Sequence, residues 1–273
     1  MAQVIDAGSW RYDERGSGPP LLLIHGLGAS SFSFRDNLQP LGEKFRVVAV
    51  DLPAHGDSPA PRDGDYRLET LCRGLNDFLD LRGIKQAAVA GNSLGGSLAI
   101  MLARDFPERV SALILLDPAV ALTRVPWLFY PLRLPLLGEL SAALMGPWVI
   151  PVALGLAYYR RELITPAVVA GYALPFRKLS RRLAFRSFCK QINIPPLPEI
   201  AAMLQKIQQP AVLVWGREDR ILPVGQASWV QTRLPHLAGQ PHILAGVGHA
   251  PQEEAAGAVN EIIIDFLTHN INN

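Results

Sequence analysis

The chain has 273 residues but only two cysteines, Cys72 and Cys189. Two thiols cannot build a disulfide framework or a zinc site, so both read as free thiols in a reducing compartment. Charge is scarce as well: 18% of residues are charged and the formal net charge is +2. So neutral a balance argues against a dedicated nucleic-acid binder. The first ten residues, MAQVIDAGSW, have neither a basic start nor an apolar run. No secretory signal is therefore expected, and the location reads as cytoplasmic. No His/Cys/Asp cluster has metal-ligand spacing, and no glycine-rich phosphate loop occurs. Neither a metal nor a cofactor is expected.

What is present is an apolar chain. Apolar residues make up 49% of the sequence, which excludes a disordered or strongly charged class. The length suits one large domain with room for an insertion. Short, wholly apolar runs recur at Leu21–Ile24, Phe45–Val50, Ala87–Ala90, Val110–Leu116, Ala211–Trp215 and His242–Leu244. Runs apolar at every position suit parallel strands buried on both faces. Helical patterns lie between them at Leu68–Leu81, Leu94–Asp105, Gly225–Leu234 and Glu253–Phe266. An N-terminal strand pair, Gln3–Asp6 and Trp10–Glu14, reads from the turn-like Ala7-Gly8-Ser9. Alternating strand and helix predicts an α/β fold with a mostly parallel, doubly wound sheet. In such sheets ligands bind beyond the C-terminal ends of the strands.

The alternation stops between Pro118 and Pro210. Residues 120–200 hold ten Lys/Arg and three acids, a local charge of +7 against −5 for the rest of the chain. The segment is rich in Pro, Leu and aromatics and can be skipped without breaking the strand order. We read 119–205 as a helical cap, and 1–118 with 206–273 as the core.

The sharpest local signal is Gly91-Asn92-Ser93-Leu94-Gly95-Gly96, a G-x-S-x-G turn between a predicted strand and a predicted helix. Small residues at 91 and 95 let neighbouring backbone pass a strained turn. Ser93 Oγ would then stand at a helix N-terminus, where the N–H of Leu94 is free and the dipole favours negative charge. A serine needs a base. Of six histidines, His249 lies in a glycine-rich loop after the last strand, where a base is needed. His236, His242 and His269 read as surface residues. A third group must orient the imidazole. Asp219, just after the fifth strand, is favoured. Asp117, which ends the fourth, is its competitor, and Glu218 would face elsewhere.

The order Ser93, Asp219, His249 is that of α/β-hydrolases, and here the resemblance is plain. The sequence resembles a capped α/β-hydrolase fold serine hydrolase over nearly the whole chain outside 119–205. Besides the serine turn, His25-Gly26-Leu27-Gly28 and the segment from Asp51 to Ser58 carry it. So do Phe106-Pro107-Glu108-Arg109-Val110, Gly216 to Asp219, and Gly248-His249. The resemblance implies an oxyanion hole built from the backbone N–H groups of Leu27 and Leu94. Each such donor is worth about 3–4 kcal/mol in a transition state. His25 and His55 read as structural.

A serine at position 93 disfavours relatives with an aspartate nucleophile, which cleave carbon–halogen bonds or epoxides. The leading reading is hydrolysis of a small-to-medium apolar ester through an acyl-serine. A second is carbon–carbon hydrolysis of an aromatic ring-cleavage product, suggested by Asn92 before the serine. That group usually carries Trp after the catalytic histidine, whereas here the residue is Ala250. A third, from another class, is a non-catalytic small-ligand receptor on the same scaffold.

In the cap, residues 140–159 carry no charge. They read as a lid over an apolar acyl pocket; a membrane span and an interfacial lid with peripheral membrane contact are the other readings. Trp127, Phe129, Tyr130, Trp148, Tyr158 and Tyr159 are candidate pocket residues. Lys178, Arg182, Arg186 and Lys190 recur every four residues, one face of a helix. They read either as a solvated face or as an anchor for an acidic substrate or anionic lipid, with Arg182 and Arg186 as the anchor candidates.

Overall fold

The computed structural model describes residues 7–121 and 129–271. Seven strands form one sheet in the order β1-β3-β2-β4-β5-β6-β7. They are β1 Tyr12–Arg15, β2 Pro20–Ile24, β3 Arg46–Val50, β4 Ala87–Asn92, β5 Val110–Leu116, β6 Ala211–Gly216 and β7 His242–Leu244. All neighbours are parallel except β1, which runs antiparallel to β3 with Tyr12 opposite Val50. The expected partner of that first strand, Gln3–Asp6, lies outside the described residues. Ala7–Ser9 forms a 3-10 turn.

The helices are α1 Leu38–Gly42, α2 Leu68–Leu81, α3 Leu94–Asp105, α4 Tyr130–Arg133, α5 Leu137–Leu144 and α6 Val149–Ala157. They continue with α7 Pro166–Ala173, α8 Leu179–Gln191, α9 Leu197–Leu204, α10 Gly225–Gln231, α11 Pro251–Glu254 and α12 Ala256–Ile271. The predicted helix over 253–266 is in fact two. Ala255 leaves helical geometry at φ −139°, and α12 starts afresh after it.

Alternation within the strands makes two apolar layers, because successive side chains face opposite sides of a sheet. Leu22, Ile24, Val48, Val50, Leu113 and Leu115 pack with α2 and α3 on one face. Leu21, Leu23, Val47, Ala49, Ile114 and Leu116 pack with α12 on the other. With both faces covered, the strands carry no polar alternation, which is why they read as continuous apolar runs.

Between β5 and β6 the described residues form helices α4–α9 and no strand. A third apolar cluster, including Leu132, Ile150, Leu154, Phe176 and Phe185, holds this cap together. Ile200 and Leu204 of α9 join the large core cluster instead. No single helix among the described residues is long and apolar enough to cross a membrane.

Candidate active site

The parallel register sets the ends of β2, β4, β5 and β6 along one edge: Ile24 pairs with Gly91, Asn92 with Leu116, and Val214 with Leu116. His25, Ser93, Asp117 and the loop after Gly216 therefore emerge together. Ser93 has φ 54° and ψ −117°, a strained backbone for a residue with a side chain. Such a conformation costs of order 1–3 kcal/mol and is held by its surroundings. The surroundings here are tight. A Cβ on Gly91 would lie 2.2 Å from Gly95 O, and one on Gly95 would lie 2.0 Å from Ile24 O. The turn thus delivers Ser93 to the first turn of α3, where the N–H of Leu94 has no carbonyl one turn back.

His249 Nδ1 lies 2.7 Å from Asp219 Oδ2. Asp219 Oδ1 accepts from the N–H groups of Ile221 and Leu222 at 2.7 and 2.8 Å. A carboxylate held this way accepts from Nδ1–H and leaves Nε2 as the acceptor of the ring. The His249 main chain is held as well: its N–H donates to Ala157 O at 2.7 Å, and its carbonyl accepts from Asn92 Nδ2 at 3.1 Å. Glu218 does face elsewhere, and its job is visible. Its Oε2 accepts from the N–H groups of Gly246 and Val247, clamping the histidine loop.

Asp117 is fully buried near this pair. One oxygen accepts from Gly216 N–H at 3.0 Å, and the other has no partner. Burial, then the neighbouring Asp219 charge, pushes its carboxyl well above the usual carboxylate range. Both causes favour its protonated form over the charged one. Donor atoms of Asp117, Asp219 and His249 lie within 4.8 Å of one another, as metal ligands would. The hydrogen bonds already made by Asp219 and His249 account for that grouping without an ion.

Ser93, His249, Leu27 and Leu94 all line one cavity of about 630 Å³. Its walls are mostly apolar, and Phe129 and Trp148 of the cap contribute. Tyr130 does not line it and is exposed; Trp127 lies outside the described residues. In one wall, buried Glu253 pairs with Arg35 and accepts from Tyr172 Oη at 2.6 Å, joining cap and core.

Arg182 and Arg186 do not line the cavity, which corrects the expectation that they contact substrate. Their four-residue spacing does put them on one face of α8, but that face turns towards α5. Arg182 Nη1 donates to the carbonyls of Ala143 and Met145, and Arg186 Nη2 sits 2.7 Å from Glu139 Oε1. The carbonyls at a helix C-terminus carry partial negative charge and attract a guanidinium. The cation that does line the cavity is Arg220, exposed and adjacent to Asp219, which sequence reasoning passed over.

His25 and His55 stand below the site as structural residues. His25 Nε2 accepts from Leu52 N–H and its Nδ1 donates to Gly26 O at 2.7 Å. The His55 ring packs on His25, Phe185 and Phe188.

Comparison with known proteins identifies the fold family. A family model described as the α/β hydrolase fold matches residues 19–142. A 2-hydroxy-6-oxononadienedioate/2-hydroxy-6-oxononatrienedioate hydrolase of Paraburkholderia phymatum is 30% identical, over 94% of this chain and 90% of its own. The chain belongs to the α/β-hydrolase fold family. It is an enzyme of that family, with relatives named as hydrolases. One of them, an uncharacterized hydrolase of Bacillus subtilis, is 29% identical over 90% of this chain and 89% of its own. Among solved structures, a bacterial membrane phospholipase A is 28% identical and superposes with a TM-score of 0.78, over 96% of this chain and 83% of that one.

Proposed function

We propose that this α/β-hydrolase cleaves an apolar carboxylic ester through an acyl-serine intermediate. The observation that carries the reading is the shared wall: Ser93, His249, Leu27 and Leu94 line one apolar cavity. In the proposed reaction His249 Nε2 takes the proton of Ser93 Oγ as that oxygen attacks the ester carbon. The carbonyl pair moves onto oxygen, and the oxyanion is held by the N–H groups of Leu27 and Leu94. Collapse expels the alcohol, which takes its proton from His249. Water repeats the sequence and releases the acid. Asp219 keeps the ring in the tautomer that leaves Nε2 free and stabilises the imidazolium.

The relative named for a dioate supports a second reading, carbon–carbon cleavage. Asn92 before the serine favours it. The dioate carries two carboxylates, however, whereas this cavity is lined mainly by apolar groups with Arg220 as its lining cation. The phospholipase neighbour is an ester hydrolase by name, which favours the first.

The test is a chain-length series of chromogenic esters plus one ring-cleavage acid, against wild type and Ser93→Ala. Ester turnover lost in Ser93→Ala, with a fluorophosphonate probe labelling Ser93, is the expected result. Label on another residue, or ester turnover that survives Ser93→Ala, overturns the mechanism. Turnover of the acid without ester turnover selects the second reading. Turnover of neither overturns both readings of the substrate.

A further inference from the structure

The cap is the apolar part of this molecule's surface. Of thirteen exposed large apolar side chains among the described residues, twelve lie between 130 and 183. They are not scattered. Leu137, Leu140 and Leu144 lie three and four residues apart on α5, one helical face, with Leu136 just before them at 87% exposure. Trp148 follows, its Nε1 donating to Leu144 O. Leu179 and Leu183 share a face of α8, and Arg182 of that helix ties it to the carbonyls at the end of α5. Leu144 and Trp148, 65% and 67% exposed, also line the cavity, so the apolar surface runs into the cavity mouth. A soluble monomer rarely leaves so continuous an apolar face uncovered.

Length decides how such a face meets a bilayer. Helices α5 and α6 together have the composition of a membrane span but are bent by 98° at their junction. At 1.5 Å per residue each reaches only about 12–14 Å, against about 30 Å of hydrocarbon. They can lie in an interface but not cross it. Charge decides the partner. Residues 120–200 carry +7, and Arg177 and Lys178 are exposed next to Leu179. Two copies meeting through this face would bring like charge against like, whereas an anionic surface complements it. The core, at −5, is repelled from such a surface, which orients the molecule cap first.

We infer that the α5–α6–α8 face of the cap docks on an anionic lipid bilayer, with the cavity mouth set against the acyl region. The surface is independent of the bond the enzyme cleaves, so its test does not use turnover. Wild-type protein is floated with phosphatidylcholine vesicles and with vesicles of equal parts phosphatidylcholine and phosphatidylglycerol. Two variants are compared, Leu136→Glu/Leu140→Glu and Arg177→Glu/Lys178→Glu. None of these four residues lines the cavity. The new glutamates of the first variant fall at the start of α5, where the dipole favours them; far-UV circular dichroism checks the fold of both.

Flotation with the anionic vesicles, weakened by salt and reduced by about tenfold or more in each variant, is the expected result. Wild type that stays unbound, or variants that float equally, overturns the inference. So does sedimentation of wild type as a dimer that Leu136→Glu/Leu140→Glu dissociates, since the face would then be covered by a second copy.

Discussion

The main-chain N–H of His249 donates to the carbonyl of Ala157, the last residue of α6, at 2.7 Å. Helix α6 of the cap thus ends on the main chain of the histidine itself. Glu254 reinforces the junction from the other side. Its Oε1 accepts from Gly248 N–H at 2.9 Å, and its Oε2 accepts from the N–H groups of Tyr159 and Arg160. One buried carboxylate therefore ties the residue before His249 to the chain leaving α6.

Glu254→Ala should lower kcat by about tenfold or more while leaving KM within a few-fold, because the histidine shifts but the apolar walls remain. It should also cost about 1–3 kcal/mol, since three N–H donors lose their acceptor. Steady-state kinetics with an ester across the acyl series, together with urea unfolding, measures both. A rise in KM at unchanged kcat would mean that Glu254 shapes the cavity and does not position the histidine.

Two carboxyl groups lie near the His249 ring, and the geometry gives them different roles. Asp219 meets Nδ1 at 2.7 Å, and its other oxygen is bound by two N–H groups. Asp117 instead accepts from Gly216 N–H, and burial followed by the Asp219 charge pushes its carboxyl up. Asp219→Asn should therefore reduce kcat by about 10³–10⁴, the size of effect expected when the imidazole adopts the wrong tautomer. Asp117→Asn should leave kcat within a few-fold, because the hydrogen bond of Asp117 goes to the Gly216 main chain and that of Asp219 to the imidazole. Equal losses in the two variants would show that the carboxyl groups act as a unit.

The parts of this molecule legible in the sequence are those with a local cause. β5 and β7 carry the bounds read from their apolar runs, as do α2 and α3 from their periodicity, because each is fixed by neighbours a few residues away. The turn at Ser93 is legible for the same reason: glycines at 91 and 95 are needed within the pentapeptide itself. The contacts of Arg182 and Arg186 are not legible. Periodicity puts them on one face of α8, but which way that face turns depends on α5, some forty residues earlier. Ala157 carries no signal at all, since only its carbonyl is used. Glu254 does carry one, an acid five residues past His249 in a first helical turn, but its partners lie in the cap. Arg220 is not legible either, since nothing local separates an exposed arginine after Asp219 from any other surface cation.

His25 and His55 make the fold acid-sensitive with a definite sign. Burial lowers His25 to about 4, and burial followed by the His25 charge lowers His55 to about 3, from the usual 6.5. Below pH 6.5 the unfolded chain takes up protons on both rings while the folded chain does not. Their contribution is complete above that pH and drains away as pH falls towards 4 and then 3. For His25 the whole window is worth about 3 kcal/mol, and between pH 6.5 and 5 each ring accounts for about 2 kcal/mol. Glu253 and Glu254 act in the opposite direction, since burial raises both and the folded chain holds their protons longer. A difference measurement removes that background. His55→Phe keeps an aromatic ring against Phe185 and Phe188. Urea unfolding at pH 7 and pH 5 should show the variant losing about 2 kcal/mol less than wild type over that step. An equal loss in the two proteins would mean that His55 is protonated in the folded state.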